Sequence, residues 1–196
     1  MVATSSTMLA LGTPAPKFSL YDVCSGSFCN SPEPSKNCGL LVAFICNHCP
    51  YVLHLLDPLV NFCEKWKKSG VDIFFISSND IEKYPQDSPE CMAKLAKEHK
   101  ISFPYLYDPE QTVAKSYQAS CTPDFFLFNS EHELYYRGQF DDSRPGNNIA
   151  VSGNDLSFAV QSMLEREKPP KRQNPSLGCN LKWKNGNEPD YFSSPK

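Results

Sequence analysis

The segment Leu40-Leu41-Val42-Ala43-Phe44-Ile45 is an unbroken apolar run that ends in Cys46-Asn47-His48-Cys49-Pro50. A short run of this kind reads as a buried strand. Beyond it, Val52, Leu55, Leu56, Leu59, Cys63 and Trp66 fall at helical spacing. A C-x-x-C pair therefore stands where a central strand becomes a helix. This placement carries chemistry. Free N–H groups and the helix dipole favour negative charge at a helix N-terminus, so a thiol there ionises more easily. The expectation is that Cys46 caps the helix and acts as nucleophile. Cys49, one turn on, would then resolve a mixed disulfide. The plainer reading is two small fillers of a core, or half of a zinc site.

The chain has 196 residues, enough for one domain with a core of its own. A net charge of −3 gives no basic footprint for nucleic acid, and no run is long enough to span a membrane. Residues 1–12 lack the basic start and apolar length of a secretory signal, which points to the cytoplasm. Nine cysteines at these spacings resemble no small secreted framework, so most are expected to be reduced.

In chain order, residues 1–14 read as a loose arm, 15–168 as a single domain and 169–196 as an extension. A strand is expected within 15–22, followed by a loop or hairpin carrying Cys24, Cys29 and Cys38. Cys24 and Cys29 could pair or hold metal, but their C-x4-C spacing has no matching second pair. Pro58 lies inside the helix after Pro50 and predicts a kink near 54–58. Val71–Ser77 reads as a second buried strand, and residues 81–87 as a polar loop. Ser88-Pro89 opens a helix with Met92, Leu95, Ala96 and His99 on one face. Asp108-Pro109-Glu110-Gln111 opens a short one through Tyr117. Strands at 124–128 and 133–137 form a hairpin. Asn154 is expected to cap a last helix. After Pro169-Pro170 the tail is polar, yet it holds Leu177, Cys179, Leu181, Trp183, Tyr191 and Phe192, which are too apolar for an unpacked tail. It is expected to lie against the domain. Strands alternating with helices, then a hairpin, imply a mixed sheet.

Five motifs carry a resemblance. They are Cys46-Asn47-His48-Cys49-Pro50-Tyr51-Val52, Tyr84-Pro85-Gln86-Asp87-Ser88-Pro89-Glu90, Cys121-Thr122-Pro123-Asp124-Phe125-Phe126-Leu127-Phe128, the stretch 136–147 from Tyr136-Arg137-Gly138 to Pro145-Gly146-Asn147, and Pro175-Ser176-Leu177-Gly178-Cys179-Asn180-Leu181-Lys182-Trp183-Lys184. In these the chain resembles the peroxiredoxin-like branch of the thioredoxin superfamily, related to alkyl hydroperoxide reductases (AhpC/TSA). The resemblance implies an α/β thioredoxin-like fold, with a mixed central sheet flanked by helices, an N-terminal extension and a C-terminal tail packed on the domain. It places Cys46 at the attacking cysteine of thioredoxins. Cys49 falls at their resolving cysteine and also at the peroxidatic cysteine of peroxiredoxins. It makes Thr122-Pro123 the cis bond that presents backbone to a bound disulfide. Two departures stand out. Cys46 and Val42 occupy the threonine and proline places of the peroxiredoxin Pro-x-x-x-Thr-x-x-Cys motif, and Leu40 replaces the buried acid of thioredoxins.

Asn47-His48 stands where thioredoxins have Gly-Pro, and the histidine resembles that of periplasmic disulfide oxidases. A cationic His48 would favour the thiolate and make the disulfide more oxidising; otherwise it is an exposed residue without a tuning role. Cys121 is a candidate third thiol or a buried small residue. Cys179 is expected to be a packed structural cysteine, and Cys63 and Cys91 inert residues near apolar helix faces. Arg137 and Arg144 are candidates to bind an anionic substrate or steady the thiolate, against a solvated ion pair with Asp141 or Asp142. The chain thus reads as a thiol–disulfide oxidoreductase without cofactor or metal. Protein or small-molecule disulfides would be its substrates and a thioredoxin- or glutathione-type molecule its reductant. The rivals are a thiol peroxidase acting on peroxides and a non-enzymatic module holding copper or zinc through Cys46, His48 and Cys49.

Overall fold

The structure, a computed structural model, describes residues 3–34 and 37–192. The outermost parts of the expected arm and extension, 1–2 and 193–196, and residues 35–36 of the expected loop lie outside the described residues. The strands are β1 (Ala3–Ser5), β2 (Ser19–Asp22), β3 (Ser27–Asn30), β4 (Gly39–Phe44), β5 (Val71–Ser77), β6 (Tyr105–Tyr107), β7 (Cys121–Thr122), β8 (Asp124–Phe128), β9 (Leu134–Gly138) and β10 (Leu177–Asn180). The α-helices are α1 (Pro50–Lys67), α2 (Pro89–Glu98), α3 (Thr112–Ser116) and α4 (Asn154–Leu164). One mixed sheet has the order β3-β2-β6-β5-β4-β8-β9, with β4, β5 and β6 parallel and the remaining pairs antiparallel. A second, small sheet has the order β1-β10-β7.

Strand alternation explains why β4 is apolar throughout. Leu41 and Ala43 face one core with Phe75, Phe125 and Leu127, covered by α1, α2 and α4. Leu40, Val42 and Phe44 face the other with Ile76, Phe126 and Phe128, covered by Tyr117 and by Leu181 and Trp183 of the extension. The packed tail is as expected. It is also tied by polar backbone contacts: Asn79 Oδ1 accepts from Lys182 N at 2.8 Å, and the Lys182 carbonyl accepts from Asp80 N and from the Gln111 side chain.

Several local expectations are corrected. The arm is not loose, because residues 3–5 pair with β10 and Gly12 N donates to the Leu134 carbonyl. Gly153, in the left-handed region at φ 65°, caps α4 in place of Asn154; its N–H and that of Ser152 both donate to Asp141 Oδ2 at 2.6 Å. Gln111, at φ 59°, caps α3, while Asp108 accepts from Ala114 N inside that helix. The polar loop 81–87 closes in a 3-10 turn, Pro85–Asp87, whose last residue is fully buried. Cys91 faces solvent, not an apolar surface. Pro58 lies inside α1, as expected.

Candidate active site

The end of β4 delivers Cys46 into a turn, with Ile45 N bonded to the Ile76 carbonyl at 2.9 Å. Helix α1 begins at Pro50, so Cys49 and not Cys46 is its N-cap. The reason is proline itself: lacking an N–H and held at helical φ, it suits the first helical position. Cys49 is fully buried and Cys46 is 1% exposed. The two sulfurs share surroundings, since both contact Thr122, and each shifts the ionisation of the other.

The short strand before the hairpin supplies the next contacts. Thr122 precedes the cis bond to Pro123, as the resemblance implied. Its hydroxyl lies 3.4 Å from Cys46 Sγ, and its carbonyl oxygen lies 3.1 Å from Cys49 Sγ. Cys179 completes the group with its sulfur 2.8 Å from that of Cys49. Strand register explains this arrival. Cys179 is paired with Thr122, so their side chains share a face, whereas Asn180 is paired with Cys121 and both lie on the other. Gly178 makes the approach possible: a Cβ there would meet the Thr122 carbonyl oxygen at 2.0 Å.

This surrounding divides the thiols electrostatically. The Cys179 and Cys46 thiols beside it, with the Val52 amide of the first helical turn, lower Cys49 to about 2, against the effect of burial. The Thr122 carbonyl, 3.1 Å from the sulfur, opposes an anion there, but it is one dipole against two neighbouring thiols and a helix N-terminus. Cys46 is raised well above an ordinary thiol by its bond to Cys49, by burial and by the Asp87 charge. Cys179 is raised by its bond to Cys49 and by burial. The three form one coupled group in which the central sulfur loses its proton first.

The other side of the turn is polar and centres on Asp87. Its carboxylate accepts from Asn47 N at 2.8 Å and from Asn79 Nδ2 at 2.8 Å, and lies 2.7 Å from His48 Nδ1. The His48 ring stacks on Tyr84, centroids 5.3 Å apart and planes 5° apart. Asn47 is fixed further by the Tyr105 hydroxyl and the Gln86 carbonyl. Asp87 and Tyr84 were missed as site residues. They stand in the second of the five sequence motifs, but nothing local shows that this motif folds against a turn 40 residues earlier.

The remaining candidates lie elsewhere. Cys121 is buried against the Pro123 carbonyl on the far face of β7, and burial raises its thiol. Arg137 is neither an anion binder nor a solvated ion pair: it is completely buried, with Nη2 3.2 Å from Asp124 Oδ2 and the guanidinium over the Phe126 ring. Burial pushes Asp124 up to about 6 in spite of that neighbour. Arg144 donates to the Asp141 and Ser143 carbonyls at 2.6 Å and bonds Gln139. With Tyr51, Pro123 and Leu177 it borders a cleft of about 10 Å³, room for about one water molecule. Cys46, His48 and Asp87 could each offer a metal one ligand atom, all within 4.8 Å. They make three ligands where a structural zinc takes four, and the Asp87 oxygens already serve three partners.

Residues 11–137 match the model of the AhpC/TSA family. The chain belongs to that family. A conserved protein from Geobacillus kaustophilus, described as uncharacterized, is 45% identical with a TM-score of 0.91, over 94% of this chain and 97% of that one. A hypothetical protein from Sinorhizobium meliloti is 42% identical with a TM-score of 0.90, over 93% of this chain and all of that one. The thioredoxin domain of a thiol-disulfide oxidoreductase from Bacteroides vulgatus is 20% identical with a TM-score of 0.61, over 80% of this chain and 99% of that one. A search of curated proteins finds no match. The fold is thioredoxin-like, an α/β architecture with a mixed central sheet flanked by helices. Among the described residues no helix is long and apolar enough to cross a membrane.

Proposed function

We propose that this member of the AhpC/TSA family is a thiol–disulfide oxidoreductase working through Cys46 and Cys49, with Cys49 as the attacking sulfur. The observation that carries the reading is that both sulfurs meet at Thr122, Cys46 at its hydroxyl and Cys49 at its carbonyl, with Cys49 at the cap of α1 and held low by its neighbours. The role expected for Cys46 passes to Cys49 because the thiolate is the nucleophile and the surroundings lower the thiol of residue 49 while raising that of residue 46. The Cys49 thiolate attacks one sulfur of a substrate disulfide, forming a mixed disulfide and expelling the other substrate sulfur as thiolate. Cys46 gives up its proton and attacks the Cys49 sulfur, and the second substrate thiolate leaves. Two protein thiols are oxidised and one substrate disulfide is reduced. A thioredoxin- or glutathione-type dithiol or thiol restores the starting state. Asn47, His48 and Thr122-Pro123 position the turn, and the reducing cytoplasm is the compartment this reading favours.

Reduction of insulin disulfides tests the proposal, with the protein's own disulfide mapped by mass spectrometry. Wild type should turn over and show a Cys46–Cys49 link. Turnover equal to that of Cys49→Ser would overturn the reading.

Near-complete burial of both sulfurs favours a second reading, since a peroxide needs far less room than a protein disulfide. In this reading Cys49 attacks one peroxide oxygen, becomes a sulfenic acid and expels water or alcohol; Cys46 then condenses with it and water leaves. Stoichiometric peroxide separates the two: a Cys49 oxidised no faster than an ordinary thiol removes the peroxidase.

A further inference from the structure

We propose that Cys179 is a third redox thiol, which takes Cys49 from Cys46 so that the oxidised protein interconverts between a Cys46–Cys49 and a Cys49–Cys179 disulfide. The inference builds on the function proposed above but has its own observations. The Cys49 and Cys179 sulfurs are 2.8 Å apart, so a covalent link of about 2.05 Å needs a shift of about 0.8 Å. Their positions are built in rather than incidental. β10 is the middle strand of its sheet, with Cys179 paired to Ala3 on one side and to Thr122 on the other. Gly178 lets the strand close onto the Thr122 carbonyl, which also touches Cys49. Cys121, adjacent to Thr122 in sequence, is turned away.

The exchange balances without an outside reactant. Cys179 loses its proton and its sulfur attacks Cys49. The 179–49 bond forms as the 49–46 bond breaks. The electron pair leaves on Cys46, which takes up the proton, and the protein's oxidation state is unchanged. The result moves the disulfide from the turn into the C-terminal extension, joining residues 130 positions apart. Cys46 becomes a thiol again while the protein remains oxidised.

The experiment uses the full chain oxidised with glutathione disulfide, quenched with N-ethylmaleimide and mapped by peptide mass spectrometry. Wild type should contain both links. Cys46→Ser should convert to a Cys49–Cys179 disulfide, whereas Cys46→Ser/Cys179→Ser should keep glutathione on Cys49. Cys179→Ala, checked by near-UV circular dichroism, replaces the serine variant if that fails to fold. A Cys46→Ser protein that keeps glutathione on Cys49 as fully as the double variant overturns the proposal. A wild type without a Cys46–Cys49 link, beside a Cys46→Ser protein that forms Cys49–Cys179, overturns the function proposed above and the exchange with it, and makes Cys179 the resolving thiol of Cys49. A Cys49 that takes up no glutathione in any variant overturns both.

Discussion

On one side of the Cys46–Cys49 turn, sulfur meets sulfur, a threonine and a strand from the far end of the chain. On the other side, Asn47 and His48 meet a buried aspartate that serves three partners. The two sides divide the work of the site. The sulfur side contains the ionising group, set by neighbouring thiols and a helix end. The carboxylate side fixes the backbone of the turn, and its negative charge disfavours ionisation of the nearer thiol, Cys46. Replacements on the two sides should therefore fail differently, one in chemistry and the other in stability.

The largest effect is expected at the cap. Cys49→Ser should lower disulfide exchange by about 10³-fold or more, leaving the fold intact. Its pH signature sharpens the contrast. An ordinary thiol is protonated below about pH 7, but a thiol lowered to about 2 remains a thiolate at pH 4. The thiolate absorbance near 240 nm of the reduced protein should persist to about pH 4 and vanish in Cys49→Ser. The sign for stability follows from linkage. A depressed folded-state value favours the fold above the unfolded thiol value and loses that contribution as pH falls toward the folded one. The reduced wild type should thus lose more stability between neutral and acid pH than Cys49→Ser, as urea midpoints would show. Equal losses would transfer the ionised sulfur elsewhere.

The opposite pattern is expected at Asp87. Asp87→Ala strands the Asn47 amide and the Asn79 side chain in a buried setting, a cost of about 3–5 kcal/mol in urea unfolding. Exchange measured on the folded fraction should fall far less than for Cys49→Ser. A loss of activity as complete as at the cap, with stability unchanged, would make Asp87 a catalytic group and end the division of labour.

How much of this could be read from the sequence differs between the two sides for a physical reason. The strand, the C-x-x-C turn and the helix are local patterns, and they were legible. So was the packing of the extension, since Leu181 and Trp183 are too apolar for solvent. Cap assignment failed although its signal was present: Pro50 favours the first helical position, which makes the residue before it the cap. Asp87 and Cys179 were illegible in their roles because both reach the site through tertiary placement. Asp87 arrives on a 3-10 turn and Cys179 by strand register, and a one-residue slip would turn Cys179 away and bring its neighbours in.

That dependence on register gives the next expected effect. Gly178→Ala places a methyl against the Thr122 carbonyl, where backbone on both sides cannot yield cheaply. The strain should cost about 1–3 kcal/mol. The variant should also lose the low-pH thiolate signal in part, because β10 carries the Cys179 thiol away from Cys49. Loss of stability with the thiolate signal unaltered would show that Cys49 is ionised by the helix end alone.

The smallest effect is expected at His48, where the sequence suggested the largest electrostatic role. Its ring faces the Asp87 carboxylate at 2.7 Å and is held flat against Tyr84, so its charge, when present, is matched by a carboxylate rather than by a sulfur. Cys46, the thiol that His48 was expected to stabilise, is instead raised, in part by that same Asp87. Removing the ring leaves Asp87 bonded to the Asn47 amide and the Asn79 side chain, and the field that reaches the sulfurs changes little. His48→Ala should therefore move the midpoint potential, measured against glutathione buffers, by less than about 30 mV, a factor of ten in the exchange constant. A shift of about 60 mV toward the reducing side would show that the imidazolium acts on the thiolate past its carboxylate partner, and the two sides of the turn would then be one electrostatic unit.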